Sequence, residues 1–352
     1  MENRFLLFLS LTLFISCSDN ETVKPKNIIL MIGDGMGLSQ ISAAYYQSND
    51  TLCFSEFDDI GLIKTHSASS IITDSAAGAT AFSTGKKTYN GAINMDTDTL
   101  PLKCITYDFI DKNIKTGIIT TSSVTHATPG CFYGNNKDRW TADEELALQF
   151  INSNINLLIG GGQKYFKKRS DDKNLIDSLE RKGYHYISSV NDKVPENTDK
   201  LIALCAPKHP KSISQGRGNF LSKSIELGLK ILKNDRGFFM VVEGAQIDWG
   251  GHDNDSDYII SEVLDFDKSI KTALNFAKNN NETLIIVTAD HETGGYGITG
   301  KNNETNKLIT GFLNDDHTAT MVPVFSYGPG SSNFKGVFDN TAIYHKIKEL
   351  IK

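Results

Sequence analysis

Short apolar, often β-branched runs recur along the chain between longer amphipathic, helix-forming stretches. The runs predict strands at 27–32, 60–64, 116–121, 156–159, 201–205, 238–242, 284–289 and 322–326. The stretches between them predict helices at 38–47, 75–83, 102–113, 141–151, 172–182, 219–233, 257–279 and 341–351. Continuous apolar strands separated by helices imply a sheet buried on both faces and mainly parallel. The expected fold is α/β, a three-layer sandwich with a large, mainly parallel central sheet and helices on both faces. Polar stretches at 190–200 and 299–310 read as surface loops. No internal repeat or low-complexity tract divides the chain, so residues 27–352 are expected to form one domain.

The N-terminus breaks this rhythm. Arg4 precedes an apolar stretch from Phe5 to Ile15, followed by Ser16 and Cys17. A basic start, a short apolar region and a small residue before the cut describe a secretory signal over residues 1–16. The stretch is shorter than the roughly 20 residues of a membrane-spanning helix. The ending Leu13-Phe14-Ile15-Ser16-Cys17 resembles a lipoprotein processing site, with Cys17 lipidated. Ordinary secretion without a lipid is the alternative. Residues 17–26 are polar and read as a tether. The expectation is an exported bacterial lipoprotein, periplasmic or outer-membrane-associated, that meets a membrane only through Cys17.

The composition, 39% hydrophobic and 22% charged, is that of an ordinary globular chain. A net charge of −6 gives no basic face for a specific nucleic-acid partner. Beyond Cys17, the cysteines are Cys53, Cys104, Cys131 and Cys205, with no C-x-x-C pair. They predict neither a disulfide framework nor a cysteine metal site.

In parallel α/β sheets, ligands bind beyond the carboxyl ends of the strands. Here those ends carry Gly33-Asp34-Gly35, Thr125-His126-Ala127-Thr128, the segment from Glu243 to His252, and Asp290-His291. The G-D-G-M-G run at 33–37 superficially resembles a dinucleotide loop, yet a carboxylate inside it would repel a pyrophosphate. Asp34 on a glycine turn suits a hard cation, or is a plain turn aspartate. Asp74 and Ser75 precede a run of small helix formers, which places Ser75 at or near an N-cap. Ser75 is then either a capping serine or a nucleophile at a helix end that favours anions. A serine nucleophile needs activation, and no protease-like His and Asp partners announce themselves, so a metal would have to hold the alkoxide.

Asp248 and His252, four residues apart, can share one face of a turn. Asp290-His291 and Asp316-His317 add further carboxylate and imidazole groups, a donor set that suits zinc. His66, His185, His209 and His345 read as ordinary surface or core histidines. Two zinc ions close together clamp the entering and leaving oxygens of an in-line phosphoryl transfer, which is the reaction class these residues imply.

Residues 73–93, T-D-S-A-A-G-A-T-A-F-S-T-G-K-K-T-Y-N-G-A-I, resemble the nucleophile signature of the alkaline phosphatases. The segment 243–255, E-G-A-Q-I-D-W-G-G-H-D-N-D, is similar to the compact, cold-adapted, Antarctic-type bacterial members. The similarity runs from about residue 27 to the C-terminus. The resemblance implies hydrolysis of phosphate monoesters through a phosphoserine at Ser75, with two zinc ions and one magnesium. It implies Asp34, Asp290 and His291 as one zinc site, where Ser75 also binds, and Asp248, His252 and His317 as the other. Asp34, Thr128 and Glu243 would hold magnesium, and Arg139 would clamp the phosphate. Without the resemblance, Arg139 is a surface arginine in Lys137-Asp138-Arg139-Trp140. His126 stands where the enterobacterial branch has an aspartate near magnesium, and Trp249 where it has a lysine near the phosphate. A homodimer is implied. The same fold serves phosphodiesterases, typically with a threonine nucleophile, and sulfatases, whose C/S-x-P-x-R motif is absent here. A phosphate- or metal-binding lipoprotein without turnover is the non-enzymatic alternative.

Overall fold

The computed structural model describes residues 24–351. The expected signal peptide over 1–16, Cys17 and most of the tether lie outside the described residues. Of the tether, Pro25 is buried and the Lys26 N–H donates to the Glu282 carbonyl at 2.8 Å, so folded structure begins by residue 25.

In chain order the strands are β1 (Asn27–Gly33), β2 (Asp59–Lys64), β3 (Lys115–Ser123), β4 (Leu157–Gly161), β5 (Tyr184–Ile187), β6 (Lys200–Leu204) and β7 (Phe238–Gly244). They continue with β8 (Thr283–Thr288), β9 (Glu292–Thr293), β10 (Gly297–Lys301), β11 (Leu308–Gly311), β12 (His317–Thr318), β13 (Val322–Tyr327) and β14 (Gly336–Asp339). The helices are α1 (Leu38–Gln47), α2 (Ser75–Thr84), α3 (Ile105–Ile110), α4 (Ala127–Gly130), α5 (Asp143–Phe150) and α6 (Gln163–Lys167). They end with α7 (Leu175–Arg181), α8 (Phe220–Leu232), α9 (Gln246–His252), α10 (Ser256–Asn280) and α11 (Ala342–Leu350).

Ten strands form one sheet in the order β14-β2-β13-β8-β1-β7-β3-β4-β6-β5. β13 is antiparallel to both its neighbours, and every other adjacent pair is parallel. The central strands β1, β7 and β8 are buried at every position, as strands covered on both faces must be. Successive side chains of a strand point to opposite faces. Phe238 of β7 packs on Phe276 of α10 with ring centroids 5.8 Å apart, while Phe239 stacks on Phe109 of α3 at 4.5 Å. Helices therefore cover both faces, and the expected three-layer α/β sandwich is the fold that forms.

The structure departs from the sequence pattern in places where the pattern carries little apolar signal. Residues 299–310, expected as a surface loop, are largely the antiparallel hairpin β10–β11, whose residues are half-buried or exposed. The edge strands β5 and β14, absent from the expected set, have one neighbour each and need no continuous apolar run. Helices α4, α6 and α9 have four, five and seven residues, too few for a 3.6-residue period to show. The helix expected over 102–113 is confined to 105–110, and Asn113 beyond it adopts a positive φ of 56°. Cys53, Cys104 and Cys131 are buried and Cys205 is half-buried, all as free thiols.

One buried ion cluster fastens the long segment before α8 to α10. The Arg217 guanidinium donates to Asp265 Oδ2 at 2.9 Å and to Glu262 Oε2, and the Ile213 N–H donates to Glu262 Oε1 at 2.9 Å. Burial pushes both carboxyls up, and Arg217 is the main opposing influence. Arg217→Ala would leave two buried carboxylates without a counter-charge. It is expected to cost roughly 3–5 kcal/mol in urea unfolding. Carboxyls with raised folded pKa values destabilise as pH rises through them, so the deficit should shrink towards acid pH. A loss below about 1 kcal/mol at neutral pH would show that the cluster is dispensable.

Candidate active site

Four adjacent strands, β8, β1, β7 and β3, deliver the polar residues from their carboxyl ends. β1 ends at Gly33-Asp34, β7 contains Glu243 and leads into α9 with Asp248 and His252, β8 leads to Asp290-His291, and β3 leads to His126 and Thr128. The small β9–β12 ladder brings His317 opposite Thr293. Gly35 follows Asp34 at φ +72°, and a Cβ there would lie 2.7 Å from both Asp248 Cα and Thr293 Oγ1. Only glycine lets the Asp34 turn approach α9 this closely.

Asp248, His252 and His317 form one cluster, and Asp34, Asp290 and His291 form another. His252 Nε2 is 3.4 Å from Asp248 Oδ2, and His317 Nε2 is 3.5 Å from Asp248 Oδ1 and 3.2 Å from His252 Nε2. His291 Nε2 is 3.4 Å from both Asp34 Oδ1 and Asp290 Oδ2. These spacings are long for charge-assisted hydrogen bonds. They match the roughly 3.3 Å edge of a tetrahedron with zinc–ligand bonds near 2.0–2.1 Å. The far ring nitrogens are occupied: His252 Nδ1 contacts the Asp315 carbonyl at 2.7 Å, His317 Nδ1 the Thr73 carbonyl at 2.8 Å, and His291 Nδ1 the Thr293 hydroxyl at 3.2 Å. Orienting partners on Nδ1 leave Nε2 to face an ion. The rings of His291 and His317 stack 3.5 Å apart, which makes the two clusters immediate neighbours.

A third cluster joins Asp34, His126 and Glu243. His126, expected only beside the ion, can therefore contribute a ligand atom itself. Both Asp34 oxygens, Asp290 Oδ2, Glu243 Oε1, Thr128 Oγ1 and His126 Nδ1 are buried without a hydrogen-bond partner. Six such orphaned atoms, five of them on residues of these clusters, are intolerable in a dry core. Hard and borderline cations would satisfy all of them, so the residues present fit a multi-ion centre.

Ser75 is buried at the start of α2, its Oγ 3.3 Å from His291 Nε2. The N-cap is Asp74, not Ser75: its Oδ1 accepts from the Ala77 N–H at 2.9 Å, and Ser75 is the first helical residue. The small residues of α2 have a steric purpose, since a Cβ on Gly78 would lie 3.0 Å from Asp290 Cβ. Asp74 Oδ2 also accepts from the Gly91 N–H at 3.0 Å and from Arg139 Nη1 at 3.1 Å. Arg139 is thus no surface residue. Its side chain is 8% exposed, with Nη2 3.4 Å from His126 Nε2.

The alkaline phosphatase family model matches residues 25–311. The chain belongs to the alkaline phosphatase family. It is 32% identical to alkaline phosphatase 3 of Bacillus subtilis, over 90% of this chain and 87% of that one. The alkaline phosphatase of the Antarctic bacterium TAB5 superposes with a TM-score of 0.89 at 42% identity, covering 94% of this chain and 98% of that one. The cold-active alkaline phosphatase of a Shewanella species superposes at 0.84 with 30% identity, covering 93% and 100%. The protein is a metal-dependent phosphomonoester hydrolase.

The electrostatics of this alkaline phosphatase centre suit cations. Burial, and then the neighbouring carboxylates, push Asp34 well above the usual range and Asp290 up to about 6. Burial raises Glu243 to about 7 against the Thr120 hydroxyl, which lowers it. Burial would raise Asp248 too, but the imidazoles of His252 and His317 beside it hold it well below its ordinary value. The same contact raises His252 to about 9.

Two residues not singled out from the sequence belong to the site. Thr293 Oγ1 donates to Asp248 Oδ1 at 2.5 Å and touches His291, so one hydroxyl braces both the Asp248–His252–His317 and the Asp34–Asp290–His291 cluster. His209, read as an ordinary histidine, has its ring 4.8 Å from Trp249 and 5.9 Å from His126, and its Nδ1 accepts from the Ser123 N–H at 2.9 Å. It walls the third cluster with aromatic rings. A threonine in Glu292-Thr293-Gly294 and a histidine in Lys208-His209-Pro210 carry no spacing that would reveal this.

Proposed function

We propose that this alkaline phosphatase works by two in-line displacements through a phosphoserine at Ser75, with two zinc ions and a third cation. The observation that carries the reading is the pair of adjacent clusters with tetrahedral-edge spacings, one of them in contact with Ser75 Oγ. Asp34, Asp290 and His291 would hold one zinc, Asp248, His252 and His317 the other, and Asp34, Glu243 and Thr128 the third ion. When bound, such ions supply positive charge to the reacting oxygens and bring the pKa of water down to roughly 7.

The chain's own residues then have definite tasks. Arg139, steered by Asp74, binds two phosphoryl oxygens of the ester. Ser75 Oγ loses its proton, attacks phosphorus from the α2 side, and the bond to the alcohol oxygen breaks on the opposite side. The alcohol takes up a proton and leaves. Water enters along the vacated path, displaces Ser75 Oγ, and inorganic phosphate departs as the serine is reprotonated. The amides at the start of α2 favour the anion throughout. Magnesium occupies a site termed M3 in a histidine-to-aspartate variant of the TAB5 enzyme. An imidazole such as His126 beside Asp34 and Glu243 shifts preference from magnesium towards zinc-class ions. Export, attachment through Cys17 and a homodimeric state complete the proposal, resting on residues Arg4 to Cys17 and on the family respectively.

The test is direct. Chelator-treated protein should hydrolyse no phosphate monoester and should recover on adding zinc. Full activity after exhaustive chelation would refute the metal-centred mechanism.

Trp249 sets how product leaves. Its indole, packed against His209, offers one N–H donor where a lysine would offer a full charge. Trp249→Lys is expected to tighten product inhibition by inorganic phosphate roughly 5- to 20-fold, the value of one added charge-assisted contact. Unchanged inhibition constants would show that the indole does not govern phosphate release.

A further inference from the structure

The apolar surface beside Arg139 has no role in the mechanism above. Trp140 is 79% exposed although it directly follows the buried arginine, and Ile71 is 73% exposed. An indole left this open beside a second exposed apolar side chain offers a flat face for a ligand to pack on. Hydrogen bonds tie the backbone around it to the site. The Arg139 N–H donates to the Gly91 carbonyl at 2.8 Å, and Asn90 Nδ2 donates to the Ile72 carbonyl at 3.0 Å. The Trp140 N–H donates to Asp138 Oδ1 at 3.0 Å. His317 Nδ1 meets the Thr73 carbonyl at 2.8 Å. The strip from His317 through Ile71-Ile72 and Asn90-Gly91 to Trp140 therefore runs along the site, from the Asp248–His252–His317 cluster to Arg139.

We propose that Trp140 is a stacking platform for the base of nucleoside 5′-monophosphates, with Ile71 and Ile72 extending the apolar rim. The proposal rests on Arg139 as the phosphate-binding group. The Trp140 ring centroid lies 4.9 Å from Arg139 Cζ. A phosphorus held by a guanidinium lies roughly 4 Å from that carbon, so the ring is within roughly 9 Å of phosphorus. A base separated from its phosphate by a ribose reaches that far. Aromatic stacking tolerates any base, because each has a π face. The partner is thus a flat aromatic group at one sugar's remove from the phosphate.

The test compares adenosine 5′-monophosphate with ribose 5-phosphate, which keeps the sugar phosphate and lacks the base. Zinc-loaded wild type, Trp140→Ala, Trp140→Phe and Arg139→Ala proteins are assayed for kcat/KM. Trp140→Ala should lose roughly 5- to 30-fold on the nucleotide and less than about 2-fold on the sugar phosphate. Trp140→Phe should keep the nucleotide rate within about 3-fold. Equal losses on both substrates, or none on the nucleotide, would overturn the proposal. So would equal losses accompanied by a smaller particle in light scattering, which would make the patch a contact between copies of the chain. Arg139→Ala should weaken both substrates alike. If it does not, the phosphate-clamp reading fails, a result distinct from failure of the Trp140 comparison.

Discussion

Ser75→Ala is expected to abolish the acid-stable phosphoenzyme and to lower kcat/KM for any phosphate monoester by at least about 10³-fold. The fold should not notice. Alanine is the best helix former, Ser75 is not the cap of α2, and Asp74 keeps its bond to the Ala77 N–H. Removing one oxygen from a buried position without a large cavity should shift stability by less than about 1 kcal/mol. Nor should metal content fall, because Asp34, Asp290 and His291 remain. Rapid quenching in acid with labelled substrate measures the intermediate, and elemental analysis measures the ions. Label retained at wild-type level in the variant would exclude Ser75 as the nucleophile. Asp74→Ala provides the contrast. It should cost about 1 kcal/mol through the lost cap and also free Arg139, so that substrate binding weakens while the phosphoserine still forms.

The sheet and most of the clustered carboxylates and histidines are legible in the sequence for one physical reason. An apolar strand that ends abruptly in Asp, His or Glu places a group that hates burial next to a core. Asp34 after NIILMI and Asp290-His291 after LIIVTA show that contrast plainly. Arg139 shows none of it. It sits in a polar loop, and its burial is created by Asp74 and Gly91, which are distant in sequence. Thr293 and His209 are equally silent, because their roles depend on what packs against them rather than on their neighbours along the chain. Ser75 was placed to within one residue. Both Asp74 and Ser75 are good caps, and only the hydrogen bond from the Ala77 N–H decides between them. His126 is a further case. The sequence shows a histidine near an expected ion, and only the fold brings its ring within ligand distance of Asp34 and Glu243.

Asp34→Asn should separate stability from function in opposite directions. Asp34 belongs to two of the three clusters, so one substitution weakens two ion sites. Activity should fall by about 10³-fold or more, with at least one ion lost on gel filtration. Without ions the sign reverses. Both Asp34 oxygens lack partners, and the carboxylates of Asp290, Asp248 and Glu243 all repel its charge. An asparagine of the same shape removes that charge and offers two N–H donors to those carboxylates. The chelated variant should therefore be more stable than the chelated wild type by roughly 1–3 kcal/mol at pH 8.

The dependence on pH follows. Acids with raised folded pKa values contribute stability that is fully present below the unfolded value near 4. That contribution is lost as pH rises through the folded values, about 6 for Asp290 and about 7 for Glu243. Chelated wild type should thus melt lower at pH 8 than at pH 5.5, and chelated Asp34→Asn should show a shallower slope. Zinc should raise the melting temperature of wild type far more than that of the variant, because binding to the native state adds its free energy to stability. Scanning calorimetry with and without zinc measures all four states. A chelated variant less stable than wild type at pH 8, with its zinc-induced rise intact, would mean that Asp34 is a structural turn residue and not the shared ligand of the centre.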